Sequence, residues 1–166
     1  MAFLIAGLLI HLFLLVNLRF EAWPEMLVYP YLINNGFKLY QDIINPYPPL
    51  FTYFLAGYFK VFPLTVFNLQ VLTWTIILLS DILIYWIARR RFGQKSALTA
   101  LIFFIIFQPL LDGNGLWYDL ALVPILLLAF HFQSPPLLAV AFFIKQSVIW
   151  LFPIFIKHWR PLLLSM

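Results

Sequence analysis

Residues 64–88 form an apolar run that stops on Arg89-Arg90-Arg91, and four further apolar stretches, at 2–18, 96–111, 116–132 and 135–156, occupy most of the remaining chain. This pattern decides the solvent before it decides the fold. A hydrocarbon core about 30 Å thick takes about 20 apolar residues per helical crossing. Inside it the backbone polar groups must be paired internally, which helices achieve within one segment. The chain is 64% hydrophobic and only 10% charged over 166 residues, so it lacks the polar surface of a water-soluble domain of that size. These runs predict an all-α, polytopic integral membrane protein, a single module over residues 1–166 whose first external loop, 19–63, carries interfacial helices.

Charge sets the expected sidedness. Four of the ten Lys and Arg residues fall within Arg89–Lys95, and a loop of that kind is cytoplasmic under the positive-inside rule. Alternation then places the N-terminus inside the cell membrane and residues 19–63 and Leu111-Asp112-Gly113-Asn114-Gly115 outside. Glu21, Glu25, Asp42, Asp112 and Asp119 gather at the external face, and Asp81 alone among the six acids does not. The first run lacks the basic start and small-residue cleavage site of a secretory signal, so we expect it to be a retained span. The last run is interrupted by Lys145-Gln146-Ser147. A single crossing there leaves Lys157 and Arg160 outside, whereas two half-helices turning at Lys145 and Gln146 return them inside; both arrangements stay open.

Composition also excludes chemistry. There is no cysteine, which removes disulfides, thiolate metal sites and cysteine nucleophiles. The formal charge of +4 sits mostly in one loop rather than on a soluble basic face, so nucleic acid is not an expected partner. His11, His131 and His158 have no metal-ligand spacing and read as core or interfacial residues. No P-loop, dinucleotide fingerprint or nucleophile elbow occurs.

The remaining chemistry lies between Glu21 and Leu50. Pro24 suits the first turn of a helix, Glu25 beside it lies where the helix dipole favours a carboxylate, Pro30 disturbs that helix and Asn35-Gly36 closes it. A second helix-like stretch, 49–62, is too short to cross. A carboxylate held at headgroup level is what a reaction between a membrane-anchored phosphate ester and a hydroxyl acceptor requires: the acid takes the proton, and cations stabilise the departing phosphate. Glu25 and Glu21 both qualify, but a lone acid in a loop is a weak signal, and the residues alone favour reading both as solvated interfacial residues paired with Arg19 or Lys38. Asp81 and Lys145 are the ionisable groups at membrane depth. Asp81 either pairs within the bundle or reaches toward the arginines, and Lys145 at a helix break can offer a cation to a lipid phosphate.

The order of an apolar span, an acid in the first external loop (Glu21 or Glu25), Gly36-Phe37-Lys38-Leu39-Tyr40-Gln41-Asp42-Ile43, and Pro48-Pro49-Leu50 before another helix resembles the integral-membrane GT-C glycosyltransferases. The nearest pattern is the dolichyl-phosphate-mannose-protein mannosyltransferase-like group that includes aminoarabinose transferases. The stretches GNGLWYDLALVPILLL and AVAFFIKQSVIWLFP resemble that group's next external turn and its short-helix pair. The resemblance implies a GT-C-like N-terminal transmembrane module and inverting transfer of a sugar from a polyprenyl-phosphate donor to an external acceptor, with membrane lipid as partner. It implies Glu25 or Glu21 as base and Asp42, Tyr40, Tyr47, Lys38 and Lys145 as substrate contacts, although a turn-forming Asp42 and interfacially anchored Tyr40, Tyr47 and Tyr53 account for those residues equally. Metal-binding members carry an acid and a lysine before Pro-Pro. Asn45-Pro46-Tyr47 stands there instead, so no metal or other cofactor is expected. Such proteins are much longer, so the chain is expected to be an N-terminal part or to work with a partner subunit. A transporter or channel subunit, or a noncatalytic scaffold, is the alternative.

Overall fold

A computed structural model describes residues 2–111 and 113–154. Asp112, Lys157, His158, Arg160 and the end of the last apolar run lie outside the described residues. The chain runs α1 (Ala2–Asn17), α2 (Glu25–Asn34), α3 (Leu50–Val61), α4 (Val66–Phe92), α5 (Gln94–Leu111), α6 (Tyr118–Phe132), α7 (Pro135–Ile144) and a 3₁₀ helix (Gln146–Leu151). Among the described residues the extended pairing consists of two isolated bridges, Glu21 with Gly115 and Leu39 with Ile43.

The helix ends follow local chemistry. Thr65 caps α4, its Oγ1 accepting from the Asn68 amide at 3.2 Å. Arg89, Arg90 and Arg91 form the last turn of α4, where they complement the helix dipole. The expected basic loop is therefore mostly helix, and α4 and α5 are joined through Gly93 at φ 87°, a backbone region open to glycine. Ser134 caps α7, followed by Pro135 and Pro136 in its first turn. Pro30 does not end α2, which continues to Asn34 with Pro30 buried.

Two helices, α4 and α5, are long and apolar enough to cross a membrane. The expected spans at 2–18 and 116–132 are shorter helices of 16 and 15 residues. The stretch 135–156 is not one helix: α7 ends after 10 residues, and Lys145 is extended at φ −148° and ψ 124° before the 3₁₀ turn. Large apolar side chains such as Phe13, Phe67, Phe103 and Leu110 face outward. Such a surface is stable against hydrocarbon and unstable against water.

Two cores hold the helices. The larger joins Met26 of α2, Phe51 and Leu55 of α3, Leu69 and Ile77 of α4, and Leu120 and Leu122 of α6 with Leu138 and Ala141 of α7. The smaller packs Leu4 of α1 and Tyr85 of α4 against Ala97, Leu101 and Ile105 of α5. Between α1, α4 and α5 lies a polar chain whose side chains, His11, Asp81 and Gln108, are buried. His11 Nδ1 meets Asp81 Oδ2 at 2.8 Å, His11 Nε2 meets Gln108 Oε1 at 3.3 Å, and Gln108 Nε2 donates to the Gly113 carbonyl at 3.1 Å. Asp81 thus pairs inside the bundle and does not reach toward Arg89. Because the Gly113 carbonyl only accepts, the Gln108 amide orientation is fixed, and His11 Nε2 must donate. One further proton is therefore held between His11 Nδ1 and Asp81.

The opposite ends of the bundle differ in character. At one end Arg91 donates to the carbonyls of Phe130 and His131, both at 3.2 Å, and Arg90 lies 4.8 Å over the Trp86 ring. At the other, Asn114 gathers three elements: its Nδ2 donates to Leu15 and Leu18 carbonyls at 2.8 and 3.0 Å, and its Oδ1 accepts from Trp74 Nε1 at 2.9 Å. The Asn114 carbonyl accepts from the Glu21 amide at 2.8 Å, seating the 19–63 segment on the turn between α5 and α6. This approach requires glycine at 115, since a Cβ there would lie 2.6 Å from the Glu21 carbonyl oxygen. Gly115→Ala is expected to cost about 1–3 kcal/mol as backbone rather than side chain must shift, measured as a lower unfolding midpoint in detergent; an unchanged midpoint would show that the segment is not seated there.

Candidate functional site

The polar end concentrates the chemistry in a cleft of about 160 Å³ lined by Glu25, Tyr29, Asn45, Tyr47, Trp117 and Tyr118 together with Pro46. Each wall has a structural cause. Glu25 is the first residue of α2, next to Pro24, where a carboxylate complements the helix N-terminus. Its Oε2 is buried and has no hydrogen-bond partner among the described residues. Tyr47 stacks on Tyr118 with ring centroids 4.1 Å apart, and Trp117 meets both rings edge-on at 5.8 and 5.5 Å. The Tyr118 hydroxyl is fixed against Thr52 Oγ1 at 3.0 Å, and Asn45 donates to the same Oγ1 at 3.2 Å. The floor is therefore a rigid set of aromatic faces braced from α3 and α6.

Lys145 stands beside this cleft. Its Nζ reaches both Asp119 oxygens at 2.6 Å and lies 5.7 Å from the Tyr47 ring centroid. Gln146 Nε2 donates to the Pro46 carbonyl at 3.2 Å, tying the helix break to the cleft wall. Next to it runs an apolar groove of about 310 Å³ lined by Phe51, Phe54, Ile76, Ala121, Pro124 and Ile144 among others. The Phe51 ring packs 5.5 Å from Tyr118, so groove and cleft share a wall.

The other sequence-derived candidates fall elsewhere. Glu21 is exposed and borders a separate, wider cavity of about 410 Å³ with Arg19, Phe20, Ala22, Trp23 and Pro24. Asp42 Oδ2 accepts from the Lys38 amide at 2.8 Å within its own turn, and Lys38 is exposed. Neither lines the cleft. Tyr40, held at φ 70°, donates its hydroxyl to the Tyr47 carbonyl at 2.7 Å and so braces the cleft from behind. Burial first, and then the neighbouring Tyr53, raise the Tyr40 phenol above its ordinary pKa, keeping it a donor. Trp117, Tyr118 and Tyr29 line the cleft without a role assigned from sequence, Asn45 entered only through the absence of a metal motif, and Asp119 only as an acid of the external face. The Trp-Tyr-Asp triplet at 117–119 was their one visible signal, two interfacial rings and an acid immediately opening a helix.

The cleft thus combines a buried carboxylate oxygen without a hydrogen-bond partner among the described residues and flat ring faces, with the Lys145–Asp119 pair beside it and an apolar groove adjoining. Comparison with known protein families, curated proteins and solved structures finds no match to this chain.

Proposed function

We propose that this chain is the N-terminal module of a polytopic membrane glycosyltransferase that moves a sugar from a polyprenyl-phosphate donor to a hydroxyl acceptor outside the cytoplasmic membrane. The observation that carries the reading is the unpartnered Glu25 carboxylate oxygen inside an aromatic cleft beside a lysine. In a single displacement the acceptor oxygen bonds to the anomeric carbon as the bond to the phosphate oxygen breaks, and the acceptor proton passes to Glu25. In this reading the Lys145 ammonium, 5.7 Å from the Tyr47 ring, is the cation that offsets charge developing on the departing phosphate. The rings of Tyr47, Trp117 and Tyr118 offer faces to a sugar, and the groove behind Phe51 is of the right chemistry for an isoprenoid chain. The transporter alternative is less well supported, because Asp81 and His11 are completely buried and paired rather than lining a passage.

The test is a transfer assay with a polyprenyl-phosphate-linked sugar and the Glu25→Gln variant; wild-type turnover by that variant would remove Glu25 as base. Sidedness is tested separately. The chain has no cysteine, so single cysteines at Glu21 and Arg90 report cleanly. An impermeant maleimide applied from outside is expected to label Glu21→Cys and spare Arg90→Cys in intact cells, and the reverse pattern would put the cleft in the wrong compartment.

A further inference from the structure

The lysine next to the cleft is already occupied. Both oxygens of Asp119 hold Lys145 Nζ at 2.6 Å, with Lys145 only 19% exposed and Asp119 51% exposed. Asp119 is not part of the cleft lining. It is the second residue of α6, directly after Tyr118, while Lys145 sits at the break after α7, so the ion pair closes the gap between two helices beside the ring floor. The Gln146 bond to the Pro46 carbonyl ties the helix break to the cleft wall, and Asp119, half exposed, has solvent on its outer side. An ammonium matched by one carboxylate offers a second anion much less attraction than an unmatched one.

We infer that Asp119 is a resident competitor for an anion subsite at Lys145, and that its rival is the phosphate monoester head of a single-chain lipid. The lipid identity rests on the transfer reading and on the apolar groove whose wall includes Ile144, the residue before Lys145. Binding exchanges one Lys145 partner for another: the phosphate oxygens take the ammonium, and the Asp119 carboxylate turns to solvent. Asp119 in this role keeps Lys145 neutralised and the gap closed while no anionic headgroup is present, and it lowers affinity for weakly charged lipids.

The experiment measures equilibrium binding of labelled farnesyl phosphate to the whole chain in phosphatidylcholine nanodiscs, with farnesol and inorganic phosphate as comparison ligands and no sugar present. Asp119→Asn is expected to bind farnesyl phosphate about fivefold more tightly than wild type, because the Lys145 ammonium then has no resident carboxylate to give up before it meets the phosphate. Lys145→Gln is expected to bind at least about tenfold more weakly, since a charge-assisted contact is lost. In the Lys145→Gln background, Asp119→Asn is expected to have no effect, which a purely structural role would not produce. Equal or weaker binding by Asp119→Asn, or a gain that persists without Lys145, would overturn the competitor role, as would no binding by any form. Equal affinity for inorganic phosphate would overturn the lipid assignment. None of these outcomes depends on turnover, so failure of the Glu25 assay and failure of this inference are separate results.

Discussion

Glu25→Gln is expected to lower the rate of sugar transfer by about two to four orders of magnitude, the usual loss when a general base is removed. Glutamine fills the same space beside Tyr29 and Tyr118 and cannot accept the acceptor's proton, so donor affinity is expected to stay near wild type while the maximal rate falls. Glu21→Gln is expected to leave the rate near wild type, since Glu21 is exposed, borders a different cavity with Arg19, and contributes its backbone amide rather than its carboxylate to the Asn114 contact. Initial rates at saturating donor, with both variants inserted to equal levels, check the pair. A large loss in Glu21→Gln with none in Glu25→Gln would move the base to the other cavity.

The sequence carried the helical architecture further than it carried the site. Apolar runs bounded by Arg19, Gly93, Ser134 and Lys145 show where helices stop, because caps, glycine and charge act locally. Helix lengths were less legible. Arg89–Arg91 read as the end of the apolar crossing, yet they satisfy the last turn of α4, which runs to Phe92 and ends at Gly93, the residue whose type suits a helix end. The site was half legible for a similar reason. Glu25 stands out through its place beside Pro24, a local signal, whereas its cleft partners arrive from residues 45–47 and 117–118 through tertiary packing. Asn114 illustrates this most directly: one polar residue in a turn bonds Leu15, Leu18 and Trp74 at once, and neither its spacing nor its type announces those partners. The opposite case is Asp42, whose Y-x-D setting suggests substrate contact while its carboxylate is taken up by the Lys38 amide four residues back. Local hydrogen bonding claimed that acid.

Replacing His11 by leucine is expected to destabilise the protein by about 1–3 kcal/mol, the cost typical of leaving a buried polar group without its hydrogen-bond partner. Both side chains are 0% exposed, and Asp81 Oδ1 already has no hydrogen-bond partner among the described residues, so loss of His11 leaves the whole carboxyl group unpaired between α1, α4 and α5. Leucine fills much of the imidazole's volume against Phe104, which confines the effect to the polar deficit. Removing both partners separates that deficit from packing: His11→Leu with Asp81→Leu is expected to recover most of the lost stability, because no polar group then stays buried without a partner. Unfolding midpoints in a denaturing-detergent titration measure both variants, and an unchanged midpoint in the single variant would mean that the pair does not join the helices. The loss should also reach the cleft end. His11 holds Gln108, Gln108 holds the Gly113 carbonyl, and the neighbouring Asn114 seats Glu21. His11→Leu should therefore increase proteolysis between Arg19 and Pro24 before global unfolding, while the Arg91 contacts to α6 at the far end stay protected.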